Sequence, residues 1–184
     1  MLGNARARWV IAAALLGAAG HPPARAQQAP EDRVRAAFLY QLAQYVTWPQ
    51  EAPSKVPFRI CVFGYAGFSS TLETAVQGKR IDNRPVRVLN LKKPEEIAQC
   101  QLVYLGFESR RQISEFVDRW QYPPVLLVGE SDGFAELGGM VNLVLDSGRV
   151  NFEVNLAATR RAGVALRSQL LRFAKLVQPG GAPR

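Results

Sequence analysis

Histidine is almost missing from these 184 residues: the single one, His21, lies in an N-terminal segment with the features of a secretory signal. Its loss with that segment excludes Ser-His-Asp and Cys-His catalysis, histidine-ligated zinc and a histidine pH switch. Cysteine is limited to Cys61 and Cys100, a spacing that excludes a Cys-x-x-Cys redox site. Beyond the N-terminal segment no run approaches the ~18 apolar residues that a membrane-spanning helix needs. Basic residues occur singly or in pairs (Lys92-Lys93, Arg110-Arg111, Arg160-Arg161), with no run of five. That pattern speaks against a nucleic-acid face, and no nucleic-acid partner is expected. A solvated basic surface is the simpler reading; attraction to an acidic partner or to anionic membrane headgroups is the other.

What is present begins with Arg6 and Arg8, continues as the uncharged run Trp9 to Ala19 and closes with Ala24-Arg25-Ala26. This is the pattern of a secretory signal peptide, and its apolar core is too short to span a bilayer. Cleavage after Ala26 leaves 158 residues with 20 basic and 15 acidic side chains, a net charge of +5. No cysteine stands at that site to carry a lipid, and no adjacent arginine pair precedes the run, so general secretion into the periplasm is expected. Residues 1–26 are then the cleaved signal, 27–178 one domain, and 179–184 a disordered tail.

Within the domain, Val34, Phe38, Leu42 and Tyr45 form one helical stripe, with Ala37, Leu39 and Val46 beside it. That helix should start at Glu31-Asp32 and stop at Trp48-Pro49, because proline disfavours the helical conformation in the residue before it. The apolar runs 58–63, 86–91, 102–105 and 125–128 do not alternate, and three of them end at Gly64, Gly106 and Gly129. They read as parallel strands buried on both faces, with helical segments at 69–76, 94–98 and 109–120 between them. From Met140 to Asn155 the pattern alternates around Asp146-Ser147-Gly148, which signals an antiparallel hairpin. Keeping Val141, Leu143 and Leu145 on the face of Val150, Phe152 and Val154 requires Leu145 opposite Val150 and Asn142 opposite Glu153. A last helical segment breaks at Gly163, resumes near Ser168 as N-cap and carries Leu166, Leu170, Phe173 and Val177. The fold class is α/β: one domain with a mixed, mostly parallel sheet, helices on both faces, and a C-terminal antiparallel hairpin and helix.

Two cysteines in an exported chain point to a disulfide between Cys61 and Cys100; two buried free thiols are the alternative. Their strands are neighbours in a doubly wound order, but a stagger of about three residues is needed to bring the α-carbons within ~7 Å. Gly64-Tyr65-Ala66-Gly67 is neither a Gly-x-Gly-x-x-Gly nor a Walker sequence, and reads as a crossover turn. Asn142, Asn151, Glu153 and Asn155 share the other face of the hairpin, with Arg160 and Arg161 shortly after. That face is either a pocket or docking patch for a partner, or the solvated side of the hairpin with Asn155 capping the next helix. Phe38, Tyr45 and Trp48 read as core rather than as a ligand cage. Asp118, Asp132 and Glu153 are imaginable as hydrolytic acids, but nothing in their spacing pairs them. A pocket at the strand ends near Gly64, Gly106 and Gly129 would suit a small-ligand sensor or carrier. No catalytic residue, metal ligand or cofactor is expected.

Several separated motifs carry a family resemblance. They are Arg35-Ala36-Ala37-Phe38-Leu39-Tyr40 with Val46-Thr47-Trp48-Pro49, then Phe58-Arg59-Ile60-Cys61-Val62, Val86 to Leu89, and Cys100 before its strand. Gly138-Gly139-Met140-Val141-Asn142-Leu143 follows, with Val150-Asn151-Phe152-Glu153-Val154-Asn155, then Arg161-Ala162-Gly163 and Ser168-Gln169-Leu170-Leu171. In this order the chain, from about Val34 to Val177, resembles the YfiR family of small periplasmic proteins. The resemblance implies a non-enzymatic regulator that restrains an inner-membrane diguanylate cyclase by binding its periplasmic region. It also implies sequestration by an outer-membrane lipoprotein and a tendency to form homodimers. Cys61 and Cys100 match the family's redox-sensitive disulfide positions. The second cysteine pair that the best-known member carries near the hairpin has no counterpart here.

Overall fold

Short apolar runs are covered on both sides at the centre of a parallel sheet. Four such runs form the middle of one eight-stranded sheet, with 86–91, towards its edge, exposing Arg87 and Asn90. The structure, a computed structural model, describes residues 24–49, 55–146, 149–178 and 180. In chain order the elements are helix α1 (Ala24–Gln44), strands β1 (Val46–Thr47) and β2 (Phe58–Phe63), helix α2 (Phe68–Val76), and strands β3 (Arg80–Ile81) and β4 (Arg84–Leu91). A 3₁₀ helix (Pro94–Gln99), β5 (Leu102–Leu105), α3 (Arg110–Val117), β6 (Leu126–Gly129), β7 (Val141–Asp146) and β8 (Arg149–Val154) follow. The chain closes with α4 (Leu156–Arg161), β9 (Ala165–Leu166), α5 (Ser168–Leu171) and β10 (Lys175–Leu176).

The sheet runs β10-β8-β7-β6-β5-β2-β4-β3, with β4, β2, β5, β6 and β7 parallel. From β2 the chain passes through α2 to β4, then returns through the 3₁₀ helix across β2 to β5. The winding therefore reverses between β2 and β5, the place where open α/β sheets form a crevice at their carboxyl ends. Register sorts the side chains. Ile60 and Val62 share one face with Leu102, Tyr104, Leu126 and Val128, while Cys61, Phe63, Val103 and Leu105 lie on the other. The hairpin pairs as its alternation requires: Leu145 lies opposite Val150 and Asn142 opposite Glu153. The signal segment lies outside the described residues except for its last three, and the tail except for Gly180.

The first helix differs from its sequence reading at both ends. It runs back through Pro30 to Ala24 and stops at Gln44, after which Val46 and Thr47 pair antiparallel with Leu166 and Ala165. Its buried stripe is also rotated: Asp32, Arg35, Ala36, Leu39, Leu42 and Ala43 are buried, whereas Val34 and Phe38 are half-buried and Tyr45 is exposed. A reading that turns every charge outward displaces the stripe, and here an ion pair lets two charged residues point inward.

The C-terminal segment departs further. Arg167, not Ser168, occupies the N-cap of α5, which is only four residues long. The chain then leaves the helix to pair Lys175 with Glu153 and Leu176 with Val154, parallel to β8. Backbone bonding to the open edge of β8 wins over continuation of the helix, and Phe173 is left 80% exposed.

Candidate functional site

Three places gather side chains of potential function. The first was not singled out by sequence and lies at the carboxyl ends of β5 and β6, beneath α1. Arg35 projects from α1 and forms a forked pair with Glu130, which directly follows β6; Nη2 donates to Oε1 at 2.8 Å, and Nε to Oε2. Nη1 donates to Asp32, one turn back on the same helix. The Tyr104 hydroxyl donates to Glu130 at 3.1 Å, and that of Tyr65 to Asp32 at 3.3 Å. The guanidinium lies over the rings of Phe68 and Tyr104, at 5.6 and 5.9 Å. Its side chain is only 7% exposed, against 11% for Asp32 and 25% for Glu130.

Burial works against the charge of Arg35, but the bond to Glu130 and the fields of Tyr104, Glu130 and Asp32 outweigh it and hold its pKa above the usual arginine value. Burial pushes the Tyr104 phenol well above the ordinary tyrosine range. Burial and the Asp32 carboxylate raise Tyr65 in the same way. These shifts move away from neutrality, so the three groups keep their protons at pH 7 and offer no acid–base relay.

The same crevice is tightly filled. At Gly106 an added Cβ would overlap the Cβ of Tyr65, and at Gly129 it would meet three ring carbons of Phe134 at 2.6–2.8 Å. On the α1 side the strand ends near Gly64, Gly106 and Gly129 are thus occupied by the chain's own side chains, whereas on the other side Phe63 and Phe107, next to Gly64 and Gly106, line a cavity.

A cavity of about 690 Å³ opens on the opposite face, between the 3₁₀ helix and α3. Phe63, Phe107, Phe116 and Trp120 line it in a ladder of ring contacts at 6.0, 5.3 and 5.3 Å, with Arg119, Glu115 and Gln112 at its rim. Ser109 positions α3 by accepting from the Gln112 amide while the Gln112 side chain reaches back, a capping box.

The third place is the hairpin face named from sequence. Asn142 donates to Glu153 at 3.1 Å, and Lys175 of β10 reaches the other carboxylate oxygen at 2.8 Å. Burial disfavours the Glu153 charge, but the bonds from Lys175 and Asn142 outweigh it and hold the carboxyl below its ordinary range. Asn151 is exposed, opposite Val144. Asn155 turns out of this face: fully buried, it caps α4 by accepting from Ala158 and donates to the Ala135 carbonyl at 2.8 Å. Arg160 and Arg161 are exposed on α4; Arg161 stacks over Tyr122 at 4.6 Å rather than reaching Glu153. Phe38, Tyr45 and Trp48 form no shared cage, since Phe38 packs on Phe152 and Trp48 on Phe58.

Cys61 and Cys100 are joined, with α-carbons 6.2 Å apart and both residues buried. The strands pair Cys61 with Val103, three positions beyond Cys100. Cys100 reaches it from the C-cap of the 3₁₀ helix, outside the strand. Among the described residues no group of three His, Cys, Asp or Glu side chains is placed to hold a metal ion. No helix among them is long and apolar enough to cross a membrane.

These features define a disulfide-bonded, doubly wound α/β domain whose strand-end crevice is closed by its own ion pair. The chain belongs to the YfiR/HmsC-like family, whose model matches residues 32–175. That family is periplasmic and regulatory, acting in diguanylate cyclase signalling. Among solved structures, the chain is similar to one described as the ABC domain in complex with L-Trp from Streptococcus pneumonia. The two share 12% identity and a TM-score of 0.51, over 77% of this chain and 60% of the other. At that identity the likeness is one of fold alone.

Proposed function

We propose that the protein is a periplasmic regulatory binding protein that restrains an inner-membrane diguanylate cyclase by binding the cyclase's periplasmic region. The observation that carries this reading is the family match over nearly the whole folded domain. The buried disulfide and the N-terminal export pattern support an oxidising compartment. A binder shifts a receptor only by preferring one of its states. The restraint is therefore preferential binding to the inactive cyclase, through the hairpin side that exposes Asn151 beside the half-buried Glu153, and through Arg160 and Arg161 exposed on α4. Sequestration by an outer-membrane lipoprotein and homodimer formation belong to the same reading. Deleting the gene is expected to raise cellular cyclic di-GMP, and restoring it to lower the level again. Unchanged cyclic di-GMP, with no membrane cyclase captured by crosslinking in intact cells, refutes the reading.

The aromatic cavity favours a second reading, a small-ligand sensor. A thermal-shift screen with amino acids, sugars and cofactors separates the two: one compound giving a large shift, without cyclase capture, favours the sensor.

A further inference from the structure

The positive charge of this domain is not spread evenly. Between Lys55 and Lys93 the chain carries eight basic residues against Glu73 and Asp82, a net +6. The remainder of residues 27–184 has 12 basic and 13 acidic side chains, a net −1. The whole excess therefore sits on the part of the chain that builds β2, α2, β3 and β4, at one edge of the sheet.

Register places these cations against one another. Arg59 of β2 is the direct partner of Arg87 on β4, and like charges paired across strands destabilise a sheet. At the outermost strand, Arg80 lies beside Pro85, two residues from Arg87 on the same face. Arg80, Arg87 and the neighbouring Lys79 are exposed. None of the ion pairs among the described residues uses any of the four. Among the described residues, the Arg59 guanidinium bonds the Gln99 carbonyl, that of Arg80 the Asn83 carbonyl, and Lys79 rests over the Tyr40 ring. Arg84 differs: it is buried and clamps the carbonyls of Val56 and Pro57. Through that clamp Val56 is held at the same edge, 43% exposed.

We propose that this edge, β3–β4 with the start of β2, is a docking surface for an anionic phospholipid bilayer. Long cations that no carboxylate of the described residues holds in place suit a fluid array of headgroups, which rearranges to meet them. An exposed apolar side chain beside cations is the composition of a surface that rests at the headgroup level. Docking there would hold the regulator at the plane of a membrane receptor, and it stands whether or not that receptor is a cyclase.

Co-sedimentation of the purified protein with phosphatidylglycerol-containing vesicles, compared with phosphatidylcholine vesicles at low and high salt, tests this. Each cation near an anionic surface is worth roughly a fivefold gain in partitioning. Binding should appear with phosphatidylglycerol, fall with salt, and drop more than about a hundredfold in K79E/R80E/R87E, which loses three attractive charges and adds three repulsive ones. The triple R111E/R149E/R172E makes the same change in net charge on other exposed positions and should keep most of the binding. K79Q/R80Q/R87Q should show the same direction of loss if the charge-reversed edge variant does not fold. No excess of phosphatidylglycerol over phosphatidylcholine binding in the wild type overturns the proposal. Equal losses in the two charge-reversed triples overturn it as well, and so does capture of an acidic protein by the edge without vesicle binding.

Discussion

Replacing Arg35 by alanine is the sharpest test of the strand-end cluster. The substitution removes the guanidinium that faces both Glu130 and Asp32. Asp32 is left beneath α1 with the Tyr65 hydroxyl, and Glu130 with that of Tyr104. Removing one partner of a buried ion pair costs about 3–5 kcal/mol, because a charge remains in a site built to neutralise it. For a domain of this size that corresponds to a fall in Tm of roughly 10 °C. Urea titration measures it directly: the midpoint should fall with the slope unchanged, since the surface exposed on unfolding is the same. A double-mutant cycle with Arg35→Met and Glu130→Leu isolates the pair. The double variant should be less destabilised than the sum of the two singles, because it removes the Glu130 charge that Arg35→Met alone leaves unpaired. The cost at Asp32 is common to Arg35→Met and the double variant and cancels in the cycle. The effect should also survive high salt, which screens a buried pair much less than a surface one. A cost below about 1 kcal/mol for Arg35→Ala, the level of an exposed pair, refutes the reasoning.

Loss of the disulfide in C61A/C100A should lower stability by about 4 kcal/mol, from the chain entropy that a 39-residue separation restrains in the unfolded state. Urea melts of wild type and variant measure it, and a difference below about 1 kcal/mol would contradict the entropic account. Glu153→Gln tests the hairpin face through pH: a folded carboxyl held below its ordinary range adds stability above about pH 4.3. The advantage of wild type over the variant should therefore be present at neutral pH and fade as pH falls through the depressed folded value. A difference that does not change between neutral pH and acid shows that Lys175 and Asn142 do not favour the charged form.

Much of the fold was legible because burial leaves a periodic mark. The hairpin register followed from alternation alone, since a one-residue slip would have buried Asn142 and Glu153 on the core face. The parallel strands were legible as short apolar runs closed by glycine. The two-residue strands β1, β3, β9 and β10 were not, because two residues carry no period and are held by backbone pairing set elsewhere. The strand-end cluster was missed for a related reason. Arg35 and Glu130 are 95 positions apart, and hydropathy counts both as surface. Glu130 was marked only by its place directly after Gly129 at a strand end, where charged side chains meet the crevice of an α/β sheet. Among the hairpin residues, sequence correctly placed Asn142 against Glu153, but Lys175 could not join them while residues 168–177 read as helix.

That cluster bears on what kind of protein this is. In an open doubly wound sheet the crevice beside the strand reversal is where a ligand is expected. Here Arg35, Tyr65 and Tyr104 occupy it and satisfy one another through Asp32 and Glu130. A ligand entering there would have to displace a buried ion pair and leave its carboxylates unmatched, a cost of several kcal/mol before any gain from binding. Carriers keep such a crevice open; this chain uses it to fix α1 on the sheet. The surfaces left for the recognition proposed above are on the outside: the hairpin side, the aromatic cavity on the opposite face and the basic edge at β3. On the proposed function, the energy such a protein can apply to a receptor is the difference between its affinities for that receptor's two states.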